Sequence, residues 1–134
     1  MTKTKQISIF VAVLALAFPY KTTVEPSRNI LVVTRGMRPI SGILVRQSWK
    51  NYSLESDGNE EDRYTDHSGR VSFPQRSIRR PLILRIILPA INFLSQGIHA
   101  SYGPQSDLLV LGDGSVEAGV VKPLDGEQVY YIDK

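Results

Sequence analysis

The sequence predicts a mainly β domain, an antiparallel sandwich of seven short strands that carries one apolar helical insertion and follows an N-terminal signal helix. Three observations point there. Runs of Val, Ile, Thr and aromatic residues recur between turn signals rich in Gly, Pro, Asn and Asp along residues 29–134, the spacing of a two-sheet antiparallel domain. The stretch Thr65-Asp66-His67-Ser68-Gly69 leads into alternating Val71 and Phe73, a turn feeding a strand with one buried face. The chain has 134 residues and no cysteine, so one packed core, without disulfides, must hold it together.

The first residues carry Lys3 and Lys5, residues 7–17 are apolar save for Ser8, and Ala15-Leu16-Ala17 is a small-x-small site. This is the layout of a secretory signal peptide over residues 1–17, with cleavage expected after Ala17. The run is shorter than the roughly twenty residues that a spanning helix needs; retention as an uncleaved anchor is the alternative. Export to the periplasm or the exterior follows. Residues 18–28, with Pro19, Pro26 and little periodicity, read as a leader.

The domain itself occupies residues 29–134. Asn29-Ile30-Leu31-Val32-Val33-Thr34 is a β-branched strand closed by a turn through Gly36 and Pro39. The next strand, over residues 43–49, puts Ile43, Val45, Gln47 and Trp49 on one face. Residues 50–62 are polar and end in Glu60-Glu61-Asp62, which reads as a long loop; residues 63–65 and 70–73 then form strands on either side of the turn. Further strands are expected at residues 98–102, 107–111, 116–121 and 129–132.

Between them lies the insertion, about residues 79–97. Arg79-Arg80-Pro81 is a helix start, Gly97 a stop, and Ile83, Ile87, Ile91, Leu94 and Ile98 recur at threes and fours. Arg85, Asn92 and Gln96 make a narrow polar stripe. A helix packed by its apolar face on the domain is the expectation, kinked or split at Pro89. A strand through residues 86–88 is the alternative.

Charge excludes little by itself. The pI is 9.3, yet removing Lys3 and Lys5 from the 16 Lys and Arg leaves 14 against 13 Asp and Glu. Nucleic-acid binding needs cations interleaved with aromatic platforms; Arg76, Arg79, Arg80 and Arg85 instead flank an apolar helix, so no nucleic-acid partner is expected. Arg79, Arg80 and Arg85 beside that helix would also suit a membrane surface. Asn51-Tyr52-Ser53 matches a glycosylation sequon. No Gly-x-Ser-x-Gly elbow or other catalytic signature occurs, and no cofactor motif. Hard carboxylates suit calcium, and Asp57, Glu60, Asp66 and His67 crowd together, with His99 the second histidine. Their spacing fits no EF-hand, and a solvated acidic loop accounts for them.

Pro39, Gly42 and Val45, followed by Thr65-Asp66-His67-Ser68-Gly69-Arg70-Val71, resemble the carboxypeptidase regulatory-like and transthyretin-like (prealbumin-like) β-sandwich domains of secreted and envelope proteins. The likeness spans roughly residues 30–75 by motif. It implies an Ig/transthyretin-like sandwich in which Thr65, Asp66 and Gly69 are structural turn residues. It also implies a binding or structural module without a catalytic centre, whose partner is an unknown protein or envelope component. The lactam-ring hydrolase of the transthyretin-like group ends in Tyr-Arg-Gly-Ser; here the chain reads Tyr130-Tyr131-Ile132-Asp133-Lys134, so that activity does not carry over. The rival reading is an envelope hydrolase or metal-binding protein with a site near His67, His99 and the 57–66 acidic segment. A second is a membrane-surface module using the 79–97 helix.

Overall fold

The structure is a computed structural model and describes residues 2–112, 119–124 and 126–132. Among these the chain is mainly β, with two helices and three small sheets. In order it runs α1 (Lys3–Ala17), β1 (Pro19–Glu25), β2 (Arg28–Thr34), β3 (Leu44–Asn51), β4 (Asn59–Tyr64), β5 (Arg70–Phe73), β6 (Arg76–Pro81), α2 (Leu82–Gln96), β7 (Pro104–Leu111), β8 (Gly119–Leu124) and β9 (Glu127–Ile132).

The core follows from period-two alternation. Ile30 and Val32 on β2, Val45 on β3, Val71 and Phe73 on β5, Val110 on β7, and Tyr130 and Ile132 on β9 form one buried cluster with Ile43. It draws on two sheets, β5-β2-β9-β8 and β4-β3-β7. In the second, Val45 lies opposite Val110; in the first, Ile30 lies opposite Val71. Val71 and Phe73 are the pair that alternation placed inward, and Ile43 and Val45 share one face as expected.

Several expectations are corrected. Among the described residues nine strands replace seven, and the sheets are not all antiparallel: β2 and β9 pair in parallel, Val32 beside Tyr130. Part of the supposed leader is a strand. β1 pairs with β6 as a two-stranded ribbon, from Pro19 opposite Pro81 to Thr23 opposite Ser77. The ribbon's inner end docks on the three-stranded sheet. Glu25, only 2% exposed, accepts hydrogen bonds from Gln47 Nε2 at 2.9 Å and Arg28 Nε at 2.6 Å. Arg76 pairs with Glu61 and lies 5.0 Å over the Trp49 ring.

The acidic run is not loop but edge strand. Glu60, Glu61 and Asp62 belong to β4, at the margin of its sheet, where charge discourages pairing with another chain. Residues 98–102 are not a strand: a single 3₁₀ turn covers Gly97–His99, and β7 begins only at Pro104. The strand expected over residues 116–121 is found from Gly119; Val116 lies outside the described residues.

α2 is a helix, as periodicity implied, and continuous through Pro89 rather than split. It is not packed by its apolar face. Neither α1 nor α2 contains a buried residue.

Candidate functional site

Three places could carry function: the Thr65–Gly69 turn and its adjoining groove, the acidic and histidine residues, and the α2 surface.

The turn is a structural device. The Asp66 Oδ1 accepts from Ser68 N at 2.8 Å, Ser68 Oγ at 2.7 Å and Arg70 N at 3.0 Å. Those bonds, the Ser68 hydroxyl first, hold the Asp66 carboxyl below the usual carboxylate range. Thr65 Oγ1 accepts from Ile43 N at 2.9 Å and donates to Ile40 O at 2.7 Å. Gly69 takes φ +72°, and its carbonyl accepts from Val32 N at 2.8 Å. The turn thus fastens three segments of backbone and commits the Asp66 carboxylate and the Thr65 hydroxyl to that task.

An open groove of about 790 Å³ borders it, lined in part by Arg63, Tyr64, Arg70 and Glu127. Its charges are spent internally. Arg70 Nε pairs with Glu127 at 2.8 Å, and Arg63 pairs with Glu61 at 2.9 Å while donating to Ser72 O.

The metal candidates do not converge. His67 is exposed at the turn and His99 exposed in the 3₁₀ turn after α2. Asp57 accepts from Ser56 Oγ, and Glu60 lies 3.8 Å from Arg46. Beside it, Arg46 makes a two-pronged contact with Asp62 at 2.7 and 2.8 Å, which lowers the Asp62 pKa. Among the described residues no three His, Asp or Glu side chains gather where a metal ion could sit. The sequon asparagine, Asn51, is buried with its Oδ1 accepting from Ser53 N, so this fold does not offer it to a glycosylating enzyme.

The α2 surface is different. Two of its three stripe residues face the domain: an Arg85 amino group donates to Thr22 Oγ1 and to Tyr20 O at 3.1 Å, and Asn92 Nδ2 donates to Tyr52 O at 2.6 Å, while Gln96 at the end of the helix is exposed. Leu84, Leu88 and Pro89 lie half-buried on the same side. The opposite side, with Ile83, Ile86, Ile87, Ile91, Phe93 and Leu94, is exposed, Leu94 by 83%. Residues expected to be shielded therefore point outward. The reason is that the core is already closed by the two sheets, so the helix attaches through hydrogen bonds rather than through its apolar stripe.

By length and composition residues 82–99 could cross a bilayer. The attachments argue against it, because Thr22 and the Tyr52 carbonyl would have to enter hydrocarbon with the helix, and exposed strand and loop backbone is not tolerated there. α1 lies against α2, and both leave the same end of the β1–β6 ribbon, where Pro19 faces Pro81. Lys21 and Arg79 are paired in register at that end, next to Arg80. All three are exposed, and none makes an ion pair with a described acid.

Sequence reasoning found Arg79, Arg80, Arg85 and the polar stripe. It missed Lys21 and Thr22, whose only signal is the Thr-Thr-Val run of β1.

No family model, curated protein or solved structure matches the chain.

Proposed function

We propose that this chain is an exported, non-catalytic interaction module of a cell envelope, and that its binding surface is the outward face of α2. One observation carries the reading: α2 turns Arg85 and Asn92 toward its own domain and Ile86, Ile91, Phe93 and Leu94 away from it. A contiguous apolar face of this extent is uncommon on a soluble monomer and marks a site that something covers. The internally paired charges of the turn and groove support a binding role over a catalytic one, as does the regulatory-like resemblance. The shared core of the four- and three-stranded sheets supports the sandwich reading in a modified, mixed-sheet form. Removal of residues 1–17 fits the same picture, since cleavage after Ala17 would leave Phe18 and all of β1 intact.

The absence of cysteine makes the test clean. Leu94→Cys and Tyr64→Cys, both at exposed positions, are treated with a membrane-impermeant maleimide in intact host envelope and as purified protein. Tyr64→Cys should label in both settings, and Leu94→Cys only when purified. Equal labelling of Leu94→Cys in both would show that nothing covers the face.

A further inference from the structure

Resting on that reading of the α2 outer face, we infer that its occupant is an anionic membrane surface, on which α2 lies flat rather than spanning. Three features bear on the assignment. The first is the outward apolar face, which Ile98, 93% exposed, extends past the end of the helix. A helix that buries such a face in the acyl boundary and keeps its polar stripe away from lipid has the make-up of an interfacial helix. Here Arg85 and Asn92 of the polar stripe are bonded to the domain, which fixes the face outward before any lipid is met.

The second feature is charge. Lys21, Arg79 and Arg80 stand exposed at the start of α2 without an acidic partner among the described residues. Their position opposes the helix, because cations beside a helix N-terminus face its positive end. The first turn holds no acidic residue and has no side-chain cap, so its amide donors also lack a side-chain acceptor. Three cations and a bare helix start together call for anions, and lipid phosphates supply them in a plane. A neutral protein groove would satisfy the apolar face and leave these groups unanswered.

The third feature is α1. Beyond its polar first turns it is apolar all the way round, with Ile9, Phe10, Val11, Val13 and Leu14 exposed, and it leaves the ribbon at the same end. Retained or removed, it starts from the side of the domain that carries the cations, so the chain meets the membrane with that side first.

The test uses the full chain carrying Leu94→Cys, labelled with an environment-sensitive dye and titrated with vesicles of phosphatidylcholine alone or mixed with phosphatidylglycerol. α1 can hold the chain on either vesicle, but the dye at position 94 reports α2 alone. On the anionic vesicles its emission should shift to the blue and escape quenching by aqueous iodide, while a dye at Tyr64→Cys stays quenchable. Replacing Lys21, Arg79 and Arg80 together by Gln should lower the ratio of shielded to quenchable dye on the anionic vesicles by on the order of a hundredfold, at about fivefold for each cation lost near the surface. A dye that stays quenchable on anionic vesicles, or an unchanged ratio of shielded to quenchable dye in the triple variant, overturns the lipid assignment. If position 94 is then shielded in host envelope but wet on vesicles, the partner is a protein and the module reading stands. If it is wet in both, both fall.

Discussion

Gly69 offers the sharpest test of the turn, because its cost divides into two parts that a second glycine separates. Both Gly69 and Gly42 have positive φ, +72° and +73°. An L side chain there meets the left-handed penalty of about 1–2 kcal/mol. Around Gly42 nothing lies within 4 Å of an added Cβ, so Gly42→Ala should cost that penalty alone. At Gly69 the same atom would stand 2.6 Å from Val32 O, 2.8 Å from Pro39 Cβ and 3.0 Å from Ile40 N. It would wedge into the 3.0 Å hydrogen bond from Ile40 N to Val32 O. Neither neighbour is a flexible side-chain tip, so backbone must shift, and overpacking of this kind adds about 1–3 kcal/mol. Gly69→Ala should therefore lose roughly 2–5 kcal/mol in all, and Gly69→Val at least as much. At roughly 4 °C per kcal/mol for a domain of this size, Tm should fall by about 8–20 °C for Gly69→Ala and about 4–8 °C for Gly42→Ala. Thermal melts followed by circular dichroism compare them. Equal losses in the two variants would mean that the close approach of Gly69 to β2 is wrong.

Ile87→Ala should leave urea stability within about 0.5 kcal/mol of the parent, since Ile87 is 41% exposed on the outer face of α2; a loss of about 2–4 kcal/mol would return the helix to the core. Glu25→Ala strands the buried Gln47 amide and the Arg28 guanidinium and should cost about 3–5 kcal/mol, whereas a change under about 1 kcal/mol would detach the β1–β6 ribbon from the domain. For Asp66 the folded pKa is depressed, so the folded state binds fewer protons. Its contribution is present above the ordinary carboxylate range and lost as pH falls through that range toward the depressed value. The difference in melting midpoint between the parent and Asp66→Asn should accordingly shrink from about pH 7 to about pH 3, and a constant difference would remove the ionised carboxylate from the account.

What could be read beforehand divides along physical lines. Strands β2 and β5 were legible because each presents alternating apolar residues to one core, β3 because Ile43 and Val45 open it on one face, and the Asp66–Gly69 turn because its residue types demand their conformation. β1 and β6 were not, because a ribbon exposed along most of its length needs no apolar alternation: of β1 only Val24 and Glu25 are buried. β4 looked like a loop because its stability comes from Arg46, Arg63 and Arg76 pairing with its acids rather than from burial. Ile98, Ala100 and Tyr102 alternate like a strand yet form none, since the period alone does not supply a neighbouring strand. For α2 the period gave the helix and its two faces. It could not say which face meets the domain, because that depends on whether strands elsewhere have already closed the core. The metal candidates failed for a related reason: nearness in sequence placed Asp57, Glu60 and His67 together, but a strand alternates its side chains and a turn points them outward.

The parallel pairing of β2 with β9 bears on how the chain comes to be folded at all. Val32 waits for Tyr130, roughly a hundred residues later in synthesis, before that part of the core can close. Until then Ile30, Val32, Val71 and Phe73 lack the strand carrying Tyr130 and Ile132. Contacts so distant along the chain form slowly, and slow closure ordinarily invites aggregation. Under the export proposed above the delay would be useful: the segment already made would stay loose enough to thread a translocation channel, and folding would complete only once the far strand had emerged on the other side.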